Sequence, residues 1–163
     1  MPWTPGTGYR VLQGSGRVSG TVFPICGGPL LQIMGTKHFP GPEIWEDSII
    51  ALEHGNVYGS KLPGLHELRA FAAAGVFDKA KAVMTGPLDD DSEETLLRVI
   101  CREVHRPDMV ILENVDFVHR TPMTILPVGP KTGDRKNQKK NKPFKSALPP
   151  GARLCFGFNP FQS

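Results

Sequence analysis

Two apolar runs of the sequence each lead to a side chain that can take part in acid–base chemistry. The run Ser48–Glu53 ends in a carboxylate, and the run that begins at Val110 is followed by the imidazole of His119. If both strands end at a common edge of a sheet, these groups can act as the orienting member and the base of a hydrolytic triad. A histidine between two core strands can instead be structural, with its ring bonded to the backbone. The second charged strand end, Glu53, favours the catalytic interpretation.

His54 is a rival for the base, because it directly follows Glu53. Successive residues of a strand point to opposite faces of the sheet, so His54 would point away from that carboxylate, and His119 is preferred. The other histidines, taken together with His54, show no spacing typical of a zinc site. They are His38, His66 and His105. We therefore predict no metal and no other cofactor, and the nucleophile of a triad is not evident in the chain.

Apolar runs and helical periodicity alternate through the middle of the chain. Within Ser48–Glu53 the residues Ile49-Ile50-Ala51-Leu52 are continuously apolar, which is typical of a strand covered on both faces. Apolar residues at helical spacing predict a helix over 62–76, and further strands are predicted over 80–84 and 109–112. This alternation predicts a single α/β domain with a mostly parallel or mixed sheet flanked by helices.

Two other stretches invite a functional interpretation that the sequence does not favour. The glycines of segment 14–24 lack the pattern of a phosphate-binding loop, so they predict close packing or tight turns in a strand or hairpin. A short helix over 29–34 follows. The acidic loop 89–91 resembles a cation site, but Asp91 and Glu94 fit a capping box that begins a helix ending near His105.

The composition is that of one ordinary globular domain. The chain has 163 residues, of which 39% are hydrophobic and 21% charged. It shows no apolar run long enough for a membrane span and no signal-peptide layout at its start. Its three cysteines lack the spacing of a disulfide framework, which predicts a reduced, cytoplasmic compartment, and the lack of a long apolar run predicts no membrane partner.

The net charge of +3 combines two segments of opposite sign. Residues 1–130 carry 11 basic and 15 acidic residues, whereas residues 131–163 carry 8 basic residues and 1 acidic residue. We predict a flexible leader over 1–13, a folded domain over 14–130 and a disordered basic tail over 131–163. Nucleic-acid binding through residues 131–145 is a weaker alternative, because a single Phe there gives no platform for stacking bases.

The order of these elements resembles the C-terminal domain of the LD-carboxypeptidase serine peptidases, in the branch of the microcin C7 self-immunity protein. The similarity covers about residues 14–130. The most telling pieces are Gly75-Val76-Phe77-Asp78-Lys79, the strand that ends at Glu53, and Asp116-Phe117-Val118-His119 with Thr121-Pro122-Met123.

The resemblance implies a Ser-Glu-His triad in which Glu53 and His119 are the carboxylate and the base. It also implies that the nucleophilic serine lies on a sharp turn of a separate N-terminal domain, which is missing here. The seven serines of this chain do not match that turn: Ser15, Ser19, Ser48, Ser60, Ser92, Ser146 and Ser163. The implied substrate is a peptide with a free C-terminal carboxyl, and a homodimer is implied as well.

Two interpretations follow from the resemblance. In the first, the chain is the C-terminal domain of a serine carboxypeptidase and is inactive unless the nucleophile domain is supplied. In the second, it is a truncated or degenerate domain without catalytic activity, which acts as an interaction module.

Overall fold

The computed structural model describes residues 8–53, 63–117, 125–126, 128 and 154–157. This part of the chain forms six strands and four α-helices, with a π-helical segment, Arg98–Glu103, directly after the last helix. In chain order the elements are β1 Arg10–Gln13, β2 Arg17–Cys26, α1 Gly27–Gln32, α2 Pro42–Trp45, β3 Ser48–Glu53, α3 Pro63–Ala73, β4 Ala82–Thr85, α4 Asp90–Leu97, β5 Val110–Glu113 and β6 Leu154–Gly157.

The strands form one mixed sheet in the order β1-β5-β4-β3-β2-β6. The four central strands, β2 to β5, pair with one another in parallel, and helices connect each of them to the next. The two outer strands are antiparallel, β1 to β5 and β6 to β2. Parallel neighbours need crossover connections, and the alternation of strands and helices supplies them. The predicted α/β fold with a mostly parallel or mixed sheet is therefore confirmed.

Each face of the sheet has its own apolar core. The helix-side core joins strand residues to residues of α3, α4 and the π-helical segment, and it includes Ile50, Leu52, Val83, Ile111, Leu68, Phe71, Leu96 and Ile100. The far-side core consists of Val22, Ile49, Ala51, Ala82, Met84, Val110 and Leu112. Half-buried Val18, Val115, Phe117 and Leu126 pack against the far-side core. Burial on both faces explains why the central strands have continuous apolar sequences.

The predicted ends of the domain are wrong at two places. Residues 10–13 were predicted to belong to a flexible leader, but they form β1 and extend the sheet beyond β5. Residues 154–157 were predicted to be part of a disordered tail, but they form β6 against β2. The sequence gives no signal for either strand, because an outer strand is held mainly by backbone pairing rather than by burial of apolar side chains. The remaining leader residues 1–7 and the basic stretch 131–145 lie outside the described residues.

Three local predictions can be compared with the structure. The predicted strand 48–53 is β3 residue for residue, and the predicted helix 62–76 is α3, which begins at Pro63 and ends at Ala73. The glycine-spaced segment forms the single strand β2 rather than a hairpin. Gly20 of β2 packs so closely on the carbonyl of Asp47 that a Cβ would collide with it, so the prediction of close backbone packing is confirmed there.

The predicted capping box before α4 is wrong by two positions. The helix begins at Asp90, and the N-cap is Asp89, whose Oδ1 accepts a hydrogen bond of 2.8 Å from the backbone N of Ser92. Asp90, Asp91 and Glu93 lie in the first turn, where negative charge interacts favourably with the positive end of the helix dipole. The acidic loop is therefore explained by the start of a helix. Within the described part of the chain, no helix is long and apolar enough to cross a membrane.

Candidate functional site

The carboxyl ends of the four parallel strands meet at one edge of the sheet, which we call the rim. Its residues are Cys26, Glu53, Thr85 and Glu113, the last residues of β2, β3, β4 and β5. The register aligns Cys26 with Glu53 and Leu52 with Thr85. In open α/β sheets this edge is where ligands and reacting groups usually gather. The rim therefore carries two carboxylates, a thiol and a hydroxyl on neighbouring strands.

The pleat of the strands sends the two rim carboxylates to opposite faces. Ile49 and Ala51 belong to the far-side core, so Glu53, two residues further along β3, lies on the far side as well. Ile111 belongs to the helix-side core, so Glu113 lies on the helix side. The two carboxylates thus lie in different chemical surroundings, although both end a strand of the same sheet.

The segment that leads toward His119 begins on the far side, where Glu53 lies. Phe117 is half-buried and packs against the far-side core, and Val115 does the same. The backbone N of Val115 donates to the carbonyl of Thr85 at 2.9 Å, and the N of Phe117 donates to the carbonyl of Val115 at 2.9 Å. These bonds fix the chain up to two residues before His119.

Of the two predicted site residues, only Glu53 lies within the described part of the chain. It is half-buried at the end of β3, as the sequence predicted. His119 and its rival His54 lie outside the described residues. The pairing of Glu53 with His119 therefore remains a prediction.

Two further residues that the sequence analysis did not single out are Cys26 of the rim and Glu67 beside it. Glu67 projects from α3, and its carboxylate packs over Gly27, where a Cβ would stand 2.5 Å from Oε2. Partial burial raises the pKa of Glu67 above its ordinary value of 4.5. The sequence pattern did not indicate a role for Glu67, because a glutamate on an amphipathic helix is usually a solvated surface residue.

The thiol of Cys26 is not activated as a nucleophile. Burial raises its pKa most, and the negative charges of Glu53 and Glu67 raise it further. A thiol reacts as its thiolate, which a raised pKa disfavours at neutral pH. The same charges give the rim a negative potential, which would stabilise a positively charged imidazolium placed near it.

Glu113 is held in a structural network on the helix side. Its carboxylate is buried, with Oε2 accepting from Nε of Arg10 at 3.0 Å and Oε1 accepting from the backbone N of Leu88 at 3.1 Å. Arg10 also bonds to Glu93 in the first turn of α4. Glu113 is therefore paired with a cation and a backbone donor.

Within the described part of the chain, neither a group of metal-ligating side chains nor the cavity beside β1 and α4 coincides with Glu53. Among the residues that the structure describes, no group of three or more His, Cys, Asp or Glu side chains is arranged to hold a metal ion. An open cavity of about 610 Å³ lies beside β1, α4 and the π-helical segment, and Glu53 does not line it. We place the candidate site at the rim rather than in this cavity, because the rim carries the reactive side chains.

The sequence matches a family model described as LD-carboxypeptidase C-terminal domain over residues 18–132. This match includes both Glu53 and His119. A comparison of the sequence with curated proteins gave no significant match.

Several solved structures share the fold. An MccF-like protein from Streptococcus pneumoniae in complex with AMP is 26% identical, with a TM-score of 0.65, over 77% of this chain and 40% of that chain. The microcin C7 self-immunity protein MccF in complex with adenosine monophosphate is 25% identical, with a TM-score of 0.61, over 74% of this chain and 36% of that one. An MccF-like protein from Bacillus anthracis, at 21% identity and a TM-score of 0.58, matches in fold over 72% of this chain and 36% of that one.

Proposed function

The chain belongs to the LD-carboxypeptidase family, and from this membership we propose that it supplies Glu53 and His119 to a Ser-Glu-His triad. The proposed reaction is hydrolysis of a peptide (amide) bond by a serine carboxypeptidase. The nucleophilic serine would come from a separate N-terminal domain. The chain spans about 40% of the pneumococcal relative and 36% of MccF, so the activity proposed here is that of a larger assembly.

Each of the two residues has a defined role in this proposal. His119 takes the proton of the serine hydroxyl as the serine attacks the carbonyl carbon, and it then gives that proton to the leaving amine. A water molecule then attacks the acyl-enzyme, with His119 again acting as the base. Glu53 holds the imidazole in the required tautomer and stabilises the imidazolium that forms in each half-reaction.

One structural observation supports this assignment most directly. Glu53 ends a central strand on the far side of the sheet, and Phe117, two residues before His119, packs against the same side. Two strand ends that are distant in sequence therefore bring the proposed carboxylate, Glu53, and the residues that lead to His119 to one face of the sheet. Glu113 does not serve the same purpose, because it lies on the helix side and is bonded to Arg10 and Leu88.

The proposed substrate is a peptide with a free C-terminal carboxyl. Solved relatives suggest a second class for testing, since MccF is described in complex with aspartyl sulfamoyl adenosine and with glutamyl sulfamoyl guanosine. These ligands join an aminoacyl group to a nucleoside through a sulfamoyl link. Both classes carry an amide-like acyl bond. A homodimer and a cytoplasmic location complete the proposal.

The pairing of Glu53 with His119 can be tested on the chain alone by NMR titration of its histidines. The carboxylate favours the charged imidazole, so Glu53→Gln should lower the pKa of His119. Exposed His38 gives an internal control, and His119→Gln assigns the signal. An unchanged His119 pKa in the Glu53→Gln variant would overturn the triad assignment.

Activity is tested with and without a nucleophile domain. We expect the purified chain alone to leave an LD-linked peptide uncleaved, because a serine nucleophile and an oxyanion hole have to be supplied. Addition of the N-terminal domain of the pneumococcal MccF-like protein should give hydrolysis that His119→Ala abolishes. Cleavage by the isolated chain would contradict the proposal that the nucleophile comes from another domain. If the chain is a binding domain without catalytic activity, no combination with the N-terminal domain should be active.

A further inference from the structure

We propose that Arg10, Glu113 and Asn114 form a latch that positions the segment carrying His119. The inference rests on the proposed function, because it concerns the base of the same triad. The three residues, which we call the rim latch, join the end of β5 to β1, to α4 and to the loop after β4. They are positioning residues, since none of them is proposed to touch the substrate.

Arg10 is the centre of the rim latch. Its Nε donates to Glu113 Oε2 at 3.0 Å, and its Nη2 donates to Glu93 of α4. The other oxygen of Glu113 accepts from the backbone N of Leu88, in the loop after β4, at 3.1 Å. Hydrogen bonds from Arg10 to Glu93 and Glu113 raise its pKa, so the guanidinium stays charged at all relevant pH values. One arginine and one buried carboxylate thus connect four elements at the rim.

Asn114 directs the chain away from β5 immediately after this pair. Its φ of +63° lies in the left-handed region, which asparagine tolerates better than most residues. Its Nδ2 donates to the carbonyl of Gly8 at 2.6 Å, and its backbone N donates to the carbonyl of Gly86 at 3.2 Å. The side chain of Asn114 is therefore tied to the residues before β1, and its backbone to the loop after β4.

These contacts act on the chain only a few residues before the proposed base. Val115 bonds to Thr85, and Phe117 packs against the far-side core. A shift of residues 113–114 would be passed through this short turn toward His119. Catalytic geometry is sensitive to such shifts, and a misplacement of about 1 Å can lower a rate about 100-fold.

The rim latch includes contacts from residues that precede the part of the chain matched by the family model. Gly8 and Arg10 precede residues 18–132, over which the family model matches. Residues 8–13 were predicted from the sequence to be a flexible leader. In the structure they supply both the cation and a carbonyl that hold the end of β5. In this proposal residues 8–13 help to position the end of β5, a role that their sequence does not indicate.

The test is the His119 pKa in the full chain, measured by NMR for Arg10→Gln. We expect a downward shift toward the value for a free imidazole, because the ring would lie less well placed against Glu53. Arg69→Gln is the matched control, since Arg69 bonds to Glu103 at 2.8 and 2.7 Å and is similarly exposed, but its ion pair joins α3 to the π-helical segment and includes no rim residue. It should leave the His119 pKa unchanged. Arg10→Lys should give a smaller downward shift than Arg10→Gln, because lysine keeps the positive charge but cannot bond to Glu93 and Glu113 with two separate nitrogens.

A second variant keeps the inference testable if Arg10→Gln fails to fold. Asn114→Gly adopts the positive φ without strain and removes the side-chain bond to Gly8, so it should lower the His119 pKa by a smaller amount. The inference is overturned if both variants fold and keep the wild-type His119 pKa while Glu53→Gln lowers it.

Failure of the proposed function gives a different pattern. In that case Glu53→Gln itself leaves the His119 pKa unchanged. The double variant Arg10→Gln with Glu53→Gln adds a check, because the two effects should be less than additive if the rim latch acts through the Glu53–His119 pair. Fully additive shifts would contradict the inference.

Discussion

Glu53 and Glu113 each end a strand of the same sheet, and each is part of a Leu-Glu dipeptide, yet they lie in different surroundings. Each follows a buried leucine, Leu52 in β3 and Leu112 in β5. Leu52 belongs to the helix-side core and Leu112 to the far-side core, so the two glutamates point to opposite faces. Glu113 is paired with Arg10 and with a backbone donor, whereas Glu53 shares its face with the approach to His119.

The comparison shows that the face of the sheet distinguishes a structural carboxylate from a candidate catalytic one. Residue type, strand end and neighbouring sequence are nearly the same at both positions. A shift of one residue in where the strand meets the rim reverses the direction of the side chain. The predictions below are ways to test this difference, beginning with the largest effect.

Glu53→Gln should abolish most of the activity of the assembled enzyme while leaving the fold intact. The amide can hold the imidazole only in the wrong tautomer and cannot stabilise the imidazolium, and such a loss lowers kcat by about 10⁴-fold in a comparable triad. The measurement is kcat/KM for an LD-linked peptide, with the nucleophile domain present. An activity within tenfold of the wild type would show that Glu53 is not the third member of a triad.

Glu113→Ala should differ by a clear loss of stability, in addition to any effect on activity that the rim latch passes to His119. It leaves the N–H of Leu88 without its acceptor and Arg10 without its buried partner, and one unsatisfied donor costs about 1–3 kcal/mol. The measurement is the free energy of unfolding in urea. Glu93→Ala removes the other, more exposed partner of Arg10 and should have a smaller effect. Equal losses for the two variants would mean that burial does not separate these carboxylates.

Glu67→Gln tests the third carboxylate near the rim through its pH dependence. Burial raises the pKa of Glu67 above 4.5, so the folded state holds a proton that the unfolded chain has released between the two pKa values. This group therefore lowers stability once the pH rises above its raised pKa, and the penalty disappears below about 4.5. We expect Glu67→Gln to raise the urea midpoint at pH 7 and to have little effect at pH 4. A gain that is the same at both pH values would exclude titration as its cause.

The sequence predicted the central part of the fold because burial leaves a clear pattern there. The continuous apolar run of β3 and the helical period of α3 both come from packing against the core, and both were predicted within a few residues. Strands β1 and β6 were missed because each lies at an edge of the sheet, where backbone pairing leaves little pattern. The position of Glu53 at a strand end was predicted because a charge after an apolar run marks such an end.

The role of Glu113 was not predictable for a related reason. It also follows an apolar run, and only the pairing with Arg10, 103 residues earlier, identifies it as structural. The face of the sheet to which the last side chain of a strand points cannot be predicted from the sequence when both faces of the strand are apolar. The N-cap of α4 shows the same limit on a smaller scale, since any of three consecutive aspartates can begin the helix and the structure selects Asp89.

The smallest effect is expected at two adjacent glycines where the rim meets α1. Gly27 and Gly28 are the first two residues of that helix, and neither needs a positive φ. A Cβ on Gly28 would meet no atom within 4 Å, so Gly28→Ala should stabilise the protein by about 0.4–1 kcal/mol through the unfolded state. A Cβ on Gly27 would stand 2.5 Å from Oε2 of Glu67 and would push that carboxylate aside. Gly27→Ala should therefore gain less stability than Gly28→Ala or lose some, and the difference should shrink in a Glu67→Ala background, as measured by urea unfolding. If the two substitutions are equivalent in the wild-type background, Glu67 does not pack over Gly27 in solution, and this third carboxylate lies away from the rim.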